Sequence, residues 1–370
     1  MDPATGTEFD TRSGAPATRV AAVTFDPRVE GLTWLALKGF LLSVVTFGIY
    51  RFWYVTNLRR FFWERTALDG SPAEYTGTGK ELFLGFLVAL AILVPIYVAL
   101  FAVSLVAPAL APFSVVISFV FLFLLGQFAI YRGRRYRAMR TLWRGIRLGQ
   151  DGSGLAYAAR AGAWWLLTLV TVGLAVPFMR ASLERYRIGH TLVGTSRMHS
   201  TARGRSVLGP WLLLYVVGLG PLIGLGIALL AAADFSLPSD LLVPKPGGKA
   251  GETILNPAYA ASHIGVLLRT MGFAAAICVP AALLLIPYYR ARETRAFMAA
   301  AGLGHARLAS SLKARQFYSP YIVYMLSLLG FLVVLGLVAA LLIFAARAAG
   351  DLGMLHGLVV LIYLVGAPLF

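Results

Sequence analysis

Long, uninterrupted runs of apolar residues are the feature that most limits how this chain can fold. About 20 apolar residues are needed to cross a bilayer as a helix, and several runs reach or approach that length. The runs are apolar on all sides and not striped, which differs from the pattern of buried helices in a soluble protein. They cover residues 32–50, 82–105, 113–131, 161–179, 206–232, 270–288, 320–346 and 353–370.

Composition agrees with a membrane protein, since 59% of the 370 residues are hydrophobic and only 13% are charged. The formal charge of +17 does not indicate a nucleic-acid partner, because Lys and Arg flank the apolar runs, where they set topology and meet anionic headgroups. Residues 1–20 are polar and predict a disordered tail without a signal peptide. We expect residues 21–370 to form a single integral membrane domain.

Four of the connectors between the runs are rich in Arg and Lys and are called elbows below. The elbows cover residues 51–81, 132–160, 180–205 and 289–316. The positive-inside rule places them, with both termini, in the cytoplasm, while the Pro- and Gly-rich connector 233–266 is expected to be an external loop. This predicts a multi-pass protein of the bacterial inner membrane, with the lipid bilayer and anionic phospholipid headgroups as its partners.

Two runs have no partner with which to cross and return. Runs 32–50 and 161–179 are short, and each contains a Thr-x-Gly break, at Thr46–Gly48 and Thr171–Gly173. Irregular backbone at membrane depth is tolerated where protein surrounds it. We therefore expect an all-α, polytopic transmembrane helical bundle of helix–elbow–helix units, with six crossings and two short re-entrant or interfacial segments. The alternative is eight crossings, which would place two elbows outside.

The elbows resemble one another, which predicts an internal repeat. Each begins at an aromatic or bulky residue followed by Arg, continues as a basic and aromatic segment typical of an interfacial helix, and reaches a glycine turn that we expect to lead back to the membrane. The expected turns are Asp69-Gly70, Asp151-Gly152, Val193-Gly194 and Leu303-Gly304. Repeats in membrane proteins often surround a shared site, but a duplicated scaffold without a site fits equally well.

Segment 30–90 resembles the YjgN-like family of bacterial inner-membrane proteins, whose function is unknown. The shared pattern is Thr-x-Gly-Ile-Tyr, an aromatic and basic stretch, a Leu-Asp-Gly turn, Gly-x-Gly and an acidic start to the next helix. The matching residues are Thr46, Gly48, Ile49, Tyr50, Trp53, Arg59, Arg60, Leu68, Asp69, Gly70, Tyr75, Gly77, Gly79, Glu81, Leu82 and Phe83. The resemblance implies an inner-membrane location and no known activity, and Lys38 departs from the neutral polar residue expected there.

The stretch Gly77-Thr78-Gly79-Lys80 looks like the tip of a phosphate-binding loop, but its register excludes one. Glu74 stands where the first glycine is required, and Glu81 stands where Ser or Thr must bind Mg²⁺. The five histidines form no HExxH pair, and no Gly-x-Ser-x-Gly elbow is present. We therefore expect no enzyme activity, no cofactor and no metal site.

The candidate substrate- or lipid-binding residues lie in three places. Lys38 is a charge within an apolar run, which is a functional hypothesis by default, although it could also snorkel to the interface. Gly220, Pro221 and Gly224 either let helices pack closely or break a helix, as in transporters. The first elbow contributes the headgroup candidates Tyr50, Arg59, Arg60, Lys80 and Glu81.

Two functions of different class fit these features. The preferred one is a transporter or channel with a site between repeats. The alternative is a non-transport lipid-binding or membrane-scaffolding protein that uses its cytoplasmic elbows, with a homo-oligomer or another membrane protein as its partner. A continuous polar cavity would favour the first, whereas a solid core with grooves between elbows would favour the second.

Overall fold

The computed structural model describes residues 21–107, 111–236, 238–244 and 253–349. The predicted tail and the apolar run 353–370 lie outside these residues. The chain divides into two compact units, one with residues up to 85 together with 140–146, and the other with residues 86–139 and 147 onward.

The first unit combines a helical hairpin with a small antiparallel sheet. The sheet has the order β1-β2-β3-β4, and α1 packs against α2. Its elements are β1 (Val23–Phe25), α1 (Leu32–Val45), α2 (Arg51–Glu64), β2 (Thr66–Leu68), β3 (Ser71–Tyr75), the start of α3 (Gly79–Val106) and β4 (Thr141–Trp143).

The second unit contains the other helices and a second set of strands. Its helices are the rest of α3, α4 (Ala111–Met139), α5 (Gly154–Val170), α6 (Val176–Gly189), α7 (Leu208–Gly218), α8 (Gly220–Ala232), α9 (His263–Ala299) and α10 (Ala314–Ala349). Its strands are β5 (Ile146–Gln150), β6 (Thr191–Val193), β7 (Ser196–Ser200), β8 (Leu242–Pro244), β9 (Thr253–Leu255), β10 (Ala301–Leu303) and β11 (Ala306–Arg307). The strand order is β5-β6-β7-β10-β11, with β8-β9 as a separate hairpin.

The predicted helical membrane architecture is supported by the apolar helices, but the fold is not all-α, because every elbow contains a pair of short strands. In each elbow a helix ends, a three-residue strand follows, and a two-residue turn leads to the second strand. Asp69-Gly70 and Arg144-Gly145 have positive φ at both central residues, which is the type I′ pattern of tight hairpins. Gly194 and Gly304 have positive φ at the first central position only, as in type II′ turns. The prediction overlooked these hairpins because three-residue strands carry too little alternation to be recognised.

One predicted turn was placed incorrectly. The turn of the second elbow is Arg144-Gly145 and not Asp151-Gly152. Gly152 lies beyond the hairpin, where an added Cβ would overlap the hydroxyl of Tyr131. The glycine there is required for close packing and not for a left-handed backbone. The turns at Gly70, Gly194 and Gly304 lie where the sequence predicts them.

Four helices of the described residues are long and apolar enough to cross a membrane, or five if the bent pair α7–α8 is one span. They are α3, α4, α9 and α10. In the most apolar windows of α3 and α10, 0% of the residues are buried inside the protein, so these side chains require an apolar surrounding such as lipid. The sixth predicted crossing is run 353–370, so the number six stays a prediction.

Buried side chains concentrate in the elbow segments, including the ends of the long helices α4 and α9 that extend into them. One cluster joins Tyr131, Tyr157, Ala161, Met179 and Leu183 from α4, α5 and α6. A second cluster joins Ala181, Ala202, Val207, Tyr289 and Phe297. The core of the second unit is therefore formed by the helices of the Arg-rich elbows, such as α6 and the last turns of α9.

Candidate functional site

Helices α1 and α2 form a short hairpin, here called the first hairpin, whose turn is fixed by local hydrogen bonds. The Thr46 hydroxyl donates to the carbonyl one helical turn earlier (2.6 Å) and accepts from the amide of Tyr50 (2.9 Å). The amide of Gly48 donates to Ser43 O (2.7 Å) around Phe47, whose φ is +52°. This is the Schellman pattern of a helix C-terminus, and α1 ends at the Thr-x-Gly break that the sequence predicts.

The outer face of the first hairpin is apolar down to its tip. Trp34, Leu41 and Val45 are exposed by 66%, 52% and 73%, and Phe47 at the tip by 78%. With 14 residues, α1 is about 21 Å long at 1.5 Å per residue, whereas a bilayer core is about 30 Å thick. Helix α1 is therefore long enough to dip into a bilayer but too short to cross it.

Lys38 and Tyr50, both predicted from the sequence, line one cleft in this hairpin. The cleft has a volume of about 70 Å³, which is room for about two water molecules. Gly39 permits the close packing of α1 on α2, because a Cβ at this position would overlap the ring of Tyr54. The other lining residues are Leu35, Tyr54 and Asn57.

The polar groups of the cleft are hydrogen-bond donors that have no partner among the described residues. The Lys38 ammonium, the Tyr50 and Tyr54 hydroxyls and the Asn57 side-chain amide make no hydrogen bond or ion pair with another described residue. Burial raises the pKa of Tyr54, so its phenol stays protonated and able to donate. Because no described carboxylate lines the cleft, the arrangement suits an anion.

Arg59 and Arg60 do not line this cleft but hold the loop that follows β3. Arg59 Nη1 donates to the Tyr75 hydroxyl (3.1 Å), and Arg60 Nη2 donates to Gly77 O (2.9 Å). A Cβ at Gly77 would lie 2.6 Å from the Tyr75 ring, so the glycine allows this ring to cover its own loop. These two arginines fasten the elbow internally, which leaves less of their charge available for headgroups than the sequence suggests.

Lys80 and Glu81 lie in the first turn of α3. Glu81 accepts from Arg140 Nη2 at 2.6 Å, and its carboxylate suits the positive end of the helix. Lys80 is exposed and pairs with no described residue. Gly79 permits a close approach to Trp53, whose ring would lie 2.7 Å from an added Cβ.

Helices α5 and α6 form a second hairpin with the same turn. Thr171 accepts from the amide of Ala175 (3.2 Å), and the amide of Gly173 donates to Thr168 O (2.7 Å). Val172 has φ +48°, like Phe47 of the first hairpin. These residues stand at a constant offset in the chain from their counterparts in the first hairpin.

The interior of the second hairpin differs at each position that forms the cleft in the first. At the same offset, Ala163 replaces Lys38, Trp164 replaces Gly39 and Met179 replaces Tyr54. Trp164 and Met179 pack in the core cluster of the second unit. Ala175 and Ser182 take the places of Tyr50 and Asn57, and Arg160 takes that of Leu35. The second hairpin therefore has no cation at the position of Lys38 and no phenol at the positions of Tyr50 and Tyr54.

The elbows that follow the two hairpins, 51–81 and 180–205, nonetheless share contacts that lie outside the cleft. Arg185 Nη1 donates to Ala202 O at 2.5 Å, which repeats the contact of Arg60 with Gly77. A Cβ at Gly204 would lie 2.6 Å from Phe178, which repeats the approach of Gly79 to Trp53. The sequence shows Arg60, Arg135, Arg185 and Arg295 at one constant distance before the four turns.

The sequence reasoning missed a buried carboxylate in the second unit. Glu293 on α9 is 3% exposed and receives Arg180 Nε and Nη2 at 2.7 and 2.8 Å, Arg290 Nη1 at 3.1 Å and the Tyr289 hydroxyl at 3.0 Å. Hydrogen bonding to this carboxylate raises the pKa of Arg180. Its position as the only acidic residue in elbow 289–316 was the signal that could have revealed it.

The Gly-Pro candidates mark a bend in the helix and not a close contact. Helices α7 and α8 are bent by 49° at Leu219, directly before Gly220 and Pro221. A Cβ at Gly224 would meet nothing within 4 Å, whereas one at Gly218 would lie 2.7 Å from Ala282. The close helix contact is therefore made at Gly218 and not at the predicted residues Gly220 and Gly224.

Comparison with known proteins finds relatives that are named inner-membrane proteins. A relative named inner membrane protein YjgN from Salmonella typhimurium is 30% identical over 144 residues, which cover 38% of this chain and 33% of the relative. The protein of the same name from Escherichia coli O157:H7 is 25% identical over 183 residues, covering 48% of this chain and 39% of the relative. The chain thus matches well under half the length of these relatives, and no solved structure matches it significantly.

The family comparison covers nearly all of the described chain. The model of the bacterial protein family of unknown function DUF898 matches residues 21–349, which confirms the YjgN-like resemblance. The match, the apolar helices and the paired elbows lead to one conclusion: this chain belongs to the DUF898 family of YjgN-like inner-membrane proteins.

Proposed function

We propose that this chain is a non-enzymatic inner-membrane protein that binds anionic phospholipid, with its two short hairpins inserted part-way into the cytoplasmic leaflet. The observation that carries this proposal is the exposed apolar tip of each hairpin. Val45 and Phe47 are exposed by 73% and 78%, and Val170 and Val172 by 79% and 56%. Such tips are stable in lipid and unfavourable in water.

The basic helices that follow the tips support the same proposal. Helices α2 and α6 return from the tips and lead into Arg-rich elbows, and Lys or Arg near an anionic surface contributes about 1 kcal/mol each. Interfacial helices of this character bury their apolar faces about 5–10 Å into the headgroup and acyl boundary. In this proposal the four elbows lie on the cytoplasmic side, and their shared contacts favour an internal repeat.

The depth of the tips tests this proposal. With Cys278 replaced by Ser, Phe47→Cys and Val172→Cys would each carry an environment-sensitive fluorophore, and lipids brominated at different depths would quench it. We expect strongest quenching by shallow and middle acyl positions at both sites. Quenching by an aqueous quencher alone would overturn the proposal, since the tips would then lie in water.

Transport, the function preferred from the sequence, is here the second candidate, and the bent pair α7–α8 is the observation that favours it. A helix broken at Gly220 and Pro221 is the kind of element that forms transporter sites. The 70 Å³ cleft is too small for most solutes and lies in another unit, so it lends transport no support. Ion conductance of the purified protein in planar bilayers that is abolished by Gly220→Leu would favour a channel.

A further inference from the structure

We propose that the cleft of the first hairpin is a binding site for the phosphate group of an anionic phospholipid, with Lys38 as its central cation. The inference rests on the proposed function, because it requires α1 to lie at the bilayer surface. It goes further by assigning lipid binding to one of two otherwise similar hairpins.

The charge of Lys38 has no counter-ion within the part of the chain that the structure describes. Lys38 is exposed and makes no ion pair with another described residue. It lies between Trp34 and Leu41 on a stripe of apolar side chains, so it is held close to the bilayer surface when this stripe meets lipid. An anionic headgroup phosphate attracts a lysine at that depth.

The neighbours of Lys38 complete a donor set for a phosphate. Tyr50, Tyr54 and Asn57 line the same cleft, and their side-chain donors are not used by other described residues. A phosphate has several acceptor oxygens, and charge-assisted hydrogen bonds to such oxygens are about twice as strong as neutral ones. The cleft therefore offers both the charge and the neutral donors that a phosphate accepts.

The position of Lys38 along α1 favours a lipid over a free phosphate ion. Seven residues separate Lys38 from Val45 near the tip, which is about 10 Å along the helix axis. If the tip lies about 5–10 Å inside the headgroup and acyl boundary, Lys38 stands at the level of the phosphates. The exposed side chains of Leu41 and Val45 then lie beside the acyl chains of the same lipid.

The second hairpin provides the internal comparison. Ala163 stands in the place of Lys38, and Trp164 and Met179 are packed into the core. Its nearest cation on the same helix, Arg160, lies over the Tyr186 ring, with the guanidinium 5.0 Å from the ring centroid. We therefore expect a single high-occupancy lipid and not one for each hairpin.

Native mass spectrometry of the full chain in detergent tests the site. The wild type would be titrated with short-chain phosphatidylglycerol, with short-chain phosphatidylcholine, or with inorganic phosphate. We expect one phosphatidylglycerol retained at concentrations where phosphatidylcholine is absent, and at least a fivefold loss of this occupancy in Lys38→Gln. Lys38→Arg should retain most of it, and Ala163→Lys should add no second lipid.

The controls separate the possible failures. Lys313→Ala removes the same charge from an exposed lysine outside the cleft, so the difference between it and Lys38→Gln isolates the cleft from general attraction. Equal occupancy in Lys38→Gln and the wild type would overturn this inference and leave lipid binding intact. No preference for phosphatidylglycerol in the wild type would overturn the proposed function itself, and competition by inorganic phosphate alone would make the site one for free phosphate.

Discussion

The two hairpins show how one backbone design supports either an open site or a packed core. Both turn at Thr-x-Gly through a left-handed residue, Phe47 or Val172, and both have an exposed apolar tip. In the second hairpin the interior is filled by Trp164 and Met179. In the first hairpin small and polar residues leave a cleft. The shared residues thus specify the turn, and the differing residues determine whether there is a site.

The hairpins also differ in how they are anchored. Arg180 ties the second hairpin to α9 through the buried Glu293, whereas Val55 takes the place of Arg180 in the first. The first unit has the ion pair Arg140–Glu81, whose side chains are 34% and 36% exposed. This difference predicts that the anchoring ion pair of the second hairpin contributes more to the stability of the protein than the ion pair of the first unit.

The largest expected effect is from removal of the buried carboxylate. Glu293→Gln leaves Arg180 and Arg290 without their counter-ion, and since these arginines are 32% and 47% exposed, we expect the free energy of unfolding to fall by about 3 kcal/mol, the upper end for a hydrogen-bonded charge. Denaturant unfolding of the purified protein in mild detergent, followed by the fluorescence of the tryptophans, measures the change.

Glu81→Gln is the matched control in the first unit, because its pair is half-exposed and is worth about 1 kcal/mol or less. The double variant Arg180→Met with Glu293→Leu should recover most of the lost stability, since well-packed apolar pairs often replace buried ion pairs. If Glu293→Gln and Glu81→Gln lowered the free energy of unfolding equally, the two ion pairs would not differ in how strongly they anchor their hairpins.

The next largest change in stability is expected at a glycine that elbows 51–81 and 180–205 share. Gly79→Ala and Gly204→Ala each place a Cβ within 2.7 Å of an aromatic residue, Trp53 or Phe178, and overpacking of this kind costs about 1–3 kcal/mol. The same unfolding assay should show similar losses for both. Gly209→Ala has nothing within 4 Å of the added Cβ and should gain up to about 1 kcal/mol. If the free energy of unfolding fell in one of the variants Gly79→Ala and Gly204→Ala and rose in the other, the two elbows would not be equivalent.

A smaller gain is expected at the tips. Val172→Gly and Phe47→Gly relieve a left-handed backbone, which costs an L-residue about 1–2 kcal/mol. Both variants should therefore be more stable in detergent, and both should be less deeply inserted in vesicles because an apolar side chain is lost. Val45→Gly, within the last turn of α1, is the control and should be destabilising by about 1 kcal/mol. A loss of stability in both tip variants would mean that the side chains matter more than the backbone.

The smallest effect on stability is expected at the proposed site. Lys38→Gln removes a charge that pairs with no described residue, so the free energy of unfolding in lipid-free detergent should change by about 0.5 kcal/mol or less. Added phosphatidylglycerol should then raise the thermal denaturation temperature of the wild type but not that of the variant. A large loss of stability without lipid would mean that Lys38 has a structural role.

The apolar runs, the breaks at Gly48 and Gly173 and three of the four elbow turns could be predicted from sequence, because each depends on local chemistry. The strands could not, since β2, β4, β6 and β10 have only three residues each and depend on pairing between distant segments. The position of the second elbow turn was missed because Arg144 adopts a positive φ, for which the sequence contains only the following glycine as a signal.

Part of the candidate site could be predicted in the same way. Lys38 and Tyr50 were recognised from a charge in an apolar run and an interfacial aromatic residue, and the structure brings both to one cleft. Tyr54 and Asn57 were not recognised, because their place in the cleft depends on the packing of α2 over Gly39. Arg59 and Arg60 were expected at headgroups, but their hydrogen bonds to Tyr75 and Gly77 depend on a loop that folds back on the helix.

The most direct test of the central claim, that both hairpins enter and leave on the same side, is cysteine labelling of the elbows. In a Cys278→Ser background, Glu74→Cys, Ile146→Cys, Thr195→Cys and His305→Cys place one exposed thiol in each elbow. A membrane-impermeant maleimide should label all four only after the inner membrane is permeabilised. With the N-terminus in the cytoplasm as predicted, labelling of positions 195 and 305 in intact spheroplasts, with positions 74 and 146 protected, would show that α5 belongs to a full crossing. Labelling of positions 74 and 146, with 195 and 305 protected, would show that α1 and α5 both do, and either result would contradict the account.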